Sequence, residues 1–184
     1  MRIVGGTHRG AALVPVGKGD AAAHLRPTSD RTRESLFNVL QGGRLGDPIR
    51  GARVLDLFAG TGALGLESLS RGAVHATFVD SGRAALDLIV GNIAKLRRGD
   101  DCTVLACAAD ALPQGDACGL VFMDPPYGLG LGGPALRTAR AQGWIAPGTV
   151  VVWEEATAQI TPQGFKRLDQ RSHGKTWITI LEAS

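Results

Sequence analysis

With 184 residues, 44% of them apolar and 20% charged, the chain is long enough for one well-buried domain, and its composition excludes long-range disorder. The formal net charge of +3 is small but unevenly placed: Arg2, Arg9, Lys18, Arg26, Arg31, Arg33, Arg44 and Arg50 outweigh the acids up to residue 50, so a basic arm precedes a near-neutral body. No apolar run approaches a membrane span, no leader-like segment opens the chain, and Cys102, Cys107 and Cys118 form no CxxC pair; a cytoplasmic protein with reduced thiols is expected.

In chain order, "RIVGGTHRGAALVP" reads as a small hairpin carrying Arg2, His8 and Arg9, and the stretch from Gly17 to His24 as a flexible connection. "RPTSDRTRESLFNVLQGG" reads as an amphipathic helix. Pro27 and the N-cap candidates Thr28, Ser29 and Asp30 open it, Leu36, Phe37, Val39 and Leu40 share a face, and Gly42 and Gly43 close it. Arg31 and Arg33 in its first turns oppose the helix dipole, which points to a ligand for them. From Arg53 strand and helix alternate: "RVLDLF" strand, "ALGLESLSRG" helix, "HATFVD" strand, "SGRAALDLIVGNIAKL" helix capped by Ser81, then "CTVLAC" and "GLVFMD" strands. A helix from about Pro134 to Gln142, the strand "TVVVWEE" and a closing hairpin in "FKRLDQRSHGKTWITILE" complete the chain. Alternation with continuous apolar strands predicts an α/β fold with a mostly parallel sheet covered on both faces and an antiparallel C-terminal edge. The expectation is a single domain, 1–184, with an arm (1–45) on a Rossmann-like core (46–184).

Ligands of such sheets sit at the carboxyl ends of the strands, where Asp56, Asp80, Asp110 and Asp124 all fall. "VLDLFAGTGALG" places Gly60, Gly62 and Gly65 in a literal G-x-G-x-x-G between strand and helix. That motif alone suggests a nicotinamide enzyme. Asp56 argues otherwise, because a carboxylate there repels a pyrophosphate and favours a ligand bearing positive charge, such as S-adenosylmethionine with its ammonium and sulfonium. Asp80 then suits the ribose hydroxyls, and Asp110 the adenine amino group. "LVFMDPPYG" ends a buried strand in Asp124, Pro125, Pro126 and Tyr127. Two prolines make the segment stiff and leave it rich in acceptors and poor in donors, which suits a ligand that brings N–H groups. In isolation the same residues also make an ordinary strand-ending turn.

"RIVGGTHRG", "RPTSDRTRESLFNVL", "VLDLFAGTGALGLESLSRGA" and "DPPYG", in this order and spacing, resemble the RsmD family of bacterial 16S ribosomal RNA guanine-N2 methyltransferases. The resemblance implies a class I methyltransferase fold that uses S-adenosylmethionine. It places Asp56, Phe58, Ala59, Gly60, Thr61, Gly62, Asp80, Ser81, Ala109 and Asp110 around the cofactor, and Asp124, Pro125, Pro126 and Tyr127 at the reacting amine. Arg2, His8, Arg9, Arg26, Arg31 and Arg33 are the expected RNA contacts, with Arg31 also a candidate for the cofactor carboxylate. The implied partner is 16S rRNA in an assembling small subunit, approached by a monomer; no metal or membrane is expected. One departure is His173, where an aromatic residue is expected before Gly174. Other readings are a NAD-binding oxidoreductase, an RNA-binding module without catalysis, and a methyltransferase acting on adenine N6 or a protein amide.

Overall fold

The computed structural model describes residues 1–16, 29–174 and 176–184. Seven strands form one sheet in the order β3-β2-β1-β4-β5-β7-β6: β1 (Arg53–Leu57), β2 (His75–Asp80), β3 (Cys102–Ala106), β4 (Leu120–Met123), β5 (Val150–Glu155), β6 (Phe165–His173) and β7 (Thr176–Ala183). The first five in that order are mutually parallel, and β7 and β6 add antiparallel to β5. Strand order reverses between β1 and β4, so the loops leaving those two strands diverge and open a crevice at their carboxyl ends.

Successive residues of a strand face opposite sides, and both sides are covered. Val54, Phe78, Phe122 and Val152 pack with helices α1 (Asp30–Gln41), α2 (Ala63–Ser70) and α3 (Arg83–Leu96). Leu55, Leu57, Val79, Val121, Met123 and Val151 pack on the other side with α4 (Gly132–Ala141), Trp144 and Trp153. Four strand-forming runs are continuous because both faces are buried, as the sequence pattern predicts. Among the described residues no helix is long and apolar enough to cross a membrane.

The amino-terminal hairpin is present and short: Arg2 and Ala12 form an antiparallel bridge around a 3-10 turn at Gly6–His8, and Ile3 N–H donates to the Ala11 carbonyl (2.9 Å), Gly10 N–H to that of Ile3 (2.8 Å) and Leu13 N–H to that of Met1 (3.0 Å). The hairpin docks on α2: Val4 N–H donates to Glu67 (2.8 Å) and His8 N–H to Ser70 Oγ (2.9 Å). Gly6 permits this approach, since its φ is +74° and a Cβ there would lie 1.8 Å from the Ser70 carbonyl oxygen. One local expectation is corrected: Ser81 does not cap α3, because the cap position falls on Gly82, which has no side chain to accept an N–H of the first turn, and Asp80 takes the Gly82 N–H. The α1 start is as expected at Ser29, whose hydroxyl accepts the Thr32 N–H at 3.1 Å. The stretch Gly17–His24, together with Arg26, Pro27 and Thr28, lies outside the described residues.

Candidate functional site

At the β1/β4 crevice lies a cavity of about 670 Å3. Its wall is built by the loops that follow β1, β2, β3 and β4, closed by Met1 and Arg33. Phe58, Ala59, Gly60, Thr61, Asp80, Ser81, Ala109 and Asp110 all reach it, as do Asp56 and the whole of Asp124–Tyr127. These sequence-predicted residues thus line one continuous cavity. Gly62 is not brought to the wall: it is buried behind the loop as the cap of α2, with φ +73°. Gly65 serves packing, since a Cβ there would come within 2.4 Å of the Phe78 ring.

The turn after β1 is tight. Phe58 holds φ +60°, an uncommon conformation for a bulky side chain, and Gly60 holds φ +57°. Asp80 fixes it: one carboxylate oxygen accepts the Gly60 N–H (2.9 Å) and the other the Gly82 N–H (2.8 Å). A carboxylate has further lone pairs, so Asp80 still has capacity to accept ligand hydroxyls. Behind the loop the buried Asn92 donates to the Thr61 carbonyl (2.9 Å) and accepts the Val14 N–H (2.6 Å), joining loop and arm through one amide. Asp56 accepts the Gly65 N–H at 2.9 Å and is otherwise enclosed. Burial pushes its carboxyl up to about 7, and the Asp80 charge adds to the rise while the Gly65 bond opposes it.

At the opposite end Asp124 is half-buried and Pro125 buried. The Tyr127 hydroxyl donates to Glu154 Oε1 at 2.8 Å and lies 3.2 Å from Thr176 Oγ1. Burial, with the Asp124 and Glu154 charges, pushes the phenol well above its ordinary range, so Tyr127 remains a neutral donor. Glu154 and Thr176, on β5 and β7, were not found from the sequence, where nothing distinguishes them from strand-end residues.

The arm divides differently from the expectation. Arg9 and Arg31 are exposed, His8 is half-buried, and Arg2 is exposed beside Asp30 at 3.2 Å. Arg33 is the correction. It is fully buried, reaches the cavity wall, pairs with Asp30 (2.9 Å) and Glu67 (3.7 Å), and donates to the Arg2 carbonyl. Its unfavourable place in the first turn of α1 is offset by these two acids, not by an RNA phosphate. Arg31, the residue considered for the cofactor carboxylate, is not in the wall. Glu67 sits on an apolar helix, "ALGLESLS"; a lone carboxylate there signals a buried cation, but the sequence does not say which.

The family model described as "Conserved hypothetical protein 95" matches residues 1–182, and the chain is 40% identical over 156 residues to ribosomal RNA small subunit methyltransferase D of Escherichia coli K12, spanning 84% of this chain and 74% of that protein. The chain belongs to the RsmD family. The solved structure of the putative methyltransferase yhhF from Escherichia coli matches this RsmD-family chain with TM-score 0.85 at 33% identity, covering 100% of this chain and 98% of that one. A S-adenosylmethionine-dependent methyltransferase from Thiobacillus denitrificans, solved with S-adenosyl-L-homocysteine, matches with TM-score 0.57 at 17% identity over 78% of this chain and 55% of that one. The fold is thus the class I methyltransferase fold, with the cavity at its strand-order reversal.

Proposed function

We propose that this RsmD-family protein transfers a methyl group from S-adenosylmethionine to the exocyclic N2 amine of a guanine in 16S rRNA of the small ribosomal subunit. The observation that carries the reading is one cavity with Asp56, Asp80 and Asp110 at one end and the acceptor strip Asp124–Tyr127 at the other. The relative's name, ribosomal RNA small subunit methyltransferase D, supports the substrate class.

The residues present fit that cofactor. Asp56, Asp80 and Asp110 line the cavity; in this reading Asp80 would accept ribose hydroxyls, Asp110 would accept the adenine amine, and the enclosed Asp56 carboxyl would face a cation rather than a pyrophosphate. When bound, S-adenosylmethionine supplies an electrophilic methyl group. The chain supplies orientation. An exocyclic amine is a weak nucleophile because its lone pair is delocalised into the ring; Asp124 and the Pro125 carbonyl each accept one of its N–H groups and turn the lone pair towards the cofactor end. Asp124 then takes the proton that the methylated nitrogen releases, so no strong base is needed beforehand. Tyr127 stacks on the displaced base, a contact worth about 1–3 kcal/mol.

Cofactor binding is expected to depend on pH through Asp56. Its carboxyl titrates near 7 in the free protein, and a cationic ligand requires it ionised. Affinity for S-adenosylmethionine therefore rises with pH, by roughly tenfold per unit from pH 5 towards 7, and levels above. Asp56→Asn keeps an acceptor for the Gly65 N–H and loses that slope. Calorimetry across this range is the measurement, and an equal slope in Asp56→Asn would remove Asp56 from the cofactor site.

The arm is the proposed RNA anchor, through Arg2, Arg9 and Arg31. RNA affinity should fall with salt by about 0.7 log units per log unit for each phosphate contacted, so replacing all three by Ala flattens the slope by about two. An unchanged slope in the triple variant rejects the arm. The function itself is tested by incubating the protein with labelled S-adenosylmethionine and either bare 16S rRNA or small subunits, then mapping the label. One N2-methylguanine is the expected product. Label on adenine N6, on a ribosomal protein, or nowhere overturns the reading.

A further inference from the structure

The β4–β5 ladder ends at Met123 opposite Trp153, although β5 continues through Glu155. Pro125 and Pro126 have no N–H to extend it. From there the DPPYG segment is tied to β5 by side chains. Glu154 Oε1 accepts the Tyr127 hydroxyl at 2.8 Å, and Glu155 Oε1 accepts the Gly128 N–H at 3.3 Å and the Ala156 N–H at 2.9 Å. Both glutamates are buried, with 9% and 6% of their surface exposed. Burying two adjacent carboxylates is costly unless each is well bonded, so their presence at this strand end calls for a reason beyond packing. The third tie comes from the antiparallel edge: Thr176, which opens β7 opposite His173, places its hydroxyl 3.2 Å from that of Tyr127.

We infer that Glu154 is a positioning residue for the target base: it holds the Tyr127 ring by its hydroxyl, with Thr176 on the same oxygen, in the orientation in which the ring stacks on the nucleobase. The inference rests on the reading of Tyr127 as the stacking residue. A phenyl ring on a free turn loses rotamer entropy when a base lands on it; a ring already tied at its far end does not, and the difference appears as affinity for the substrate. Glu154 touches neither base nor cofactor in this role. It also explains what the C-terminal pair of strands contributes, because β7 supplies one of the two groups on the phenol; burial pushes the Glu154 carboxyl above its ordinary range, and the bond from Tyr127 opposes that rise.

The test is a double-mutant cycle on the full chain, with methyl transfer to small-subunit rRNA read as separate KM and kcat and with calorimetric affinity for S-adenosylhomocysteine as the second readout. Tyr127→Phe keeps the ring and loses the tie; Glu154→Ala keeps the phenol and loses its acceptor. Each should raise the KM for RNA about tenfold, as expected for one charge-assisted hydrogen bond. The double variant should be no worse than either, because both remove the same bond. Glu154→Gln retains an acceptor and should recover most of the loss, and S-adenosylhomocysteine affinity should be unchanged throughout, whereas a general structural defect at this position would lower that affinity as well. If Glu154→Ala fails to fold, Tyr127→Phe and Thr176→Val carry the same comparison. Losses that multiply to about a hundredfold in the double variant, or a wild-type KM in Tyr127→Phe alongside an impaired Tyr127→Ala, overturn the positioning role. A wild-type KM in Tyr127→Ala would instead sink the stacking reading beneath it.

Discussion

Asp124→Ala is expected to slow single-turnover methyl transfer by about 10²–10³-fold, the cost of removing one pre-placed polar group from a reacting centre. Affinity for S-adenosylhomocysteine should stay nearly unchanged. The two effects separate because of where the residue stands. Asp124 follows β4 directly and is stiffened by Pro125 and Pro126, whereas the groups proposed to hold the cofactor come from the loops after β1, β2 and β3. Without the carboxylate the amine keeps one acceptor, the Pro125 carbonyl, and rotates about it; the bound geometry then no longer directs the lone pair, although both ligands still bind. Asp124→Asn should fall between, since its amide oxygen accepts one N–H but cannot take the released proton. Near-normal single-turnover rate in Asp124→Ala refutes the acceptor strip. A matching loss of S-adenosylhomocysteine affinity would move Asp124 into the cofactor subsite.

The site was legible in the sequence to the extent that local chemistry defines it. An acid beside a glycine loop, acids at successive strand ends and a double proline after an apolar run are all short-range patterns, and the chain brings them together because parallel strands share one carboxyl end. Asp56, Asp80, Asp110 and Asp124 fall where that rule puts them. The sequence failed where a role depends on contacts between distant segments. The clash of Arg33 with the helix dipole points to an RNA contact, yet its partners Asp30 and Glu67 lie three and thirty-four positions away, the latter on another helix. Glu154 and Thr176 meet Tyr127 from 27 and 49 positions along the chain. The docking of the amino-terminal hairpin on α2, through Glu67 and Ser70, is likewise a contact between distant segments that no local pattern records.

Glu67→Ala should destabilise the fold by about 3–5 kcal/mol, the cost of breaking a buried ion pair from one side. Glu67 is fully enclosed, accepts from two donors and faces a second cation: Oε1 accepts Arg71 Nε at 2.8 Å, while Oε2 accepts the Val4 N–H at 2.8 Å and faces Arg33 Nε at 3.7 Å. Arg71 retains Gln41 at 2.8 Å and the Phe37 ring beneath its guanidinium at 4.9 Å, and Arg33 retains Asp30, so neither cation is left wholly without a partner. Both nonetheless lose the buried negative charge between them, and the Val4 N–H loses its acceptor. At roughly 2–4 °C per kcal/mol for a chain of this size, the midpoint of thermal unfolding should fall by about 10 °C. Glu67→Gln keeps an acceptor without the charge and should lose less. Replacing Glu67 and Arg33 together by Met should recover part of the loss, because the Arg33 cation is then no longer buried beside a missing carboxylate, although Arg71 still lacks Glu67 and Asp30 lacks Arg33. Amide exchange locates the effect: Val4 and His8 are bonded to α2 side chains, so their protection should fall first in Glu67→Ala, before that of β1 or β4. The same variant links stability to function. Releasing Val4 frees the segment that carries Arg2 and Arg9 and places Met1 in the cavity wall, so RNA affinity should become less salt-dependent and cofactor affinity should weaken. Wild-type stability in Glu67→Ala, with unchanged exchange at Val4, would show that the arm is held to α2 by its bonds to Ser70 and its apolar contacts, without Glu67.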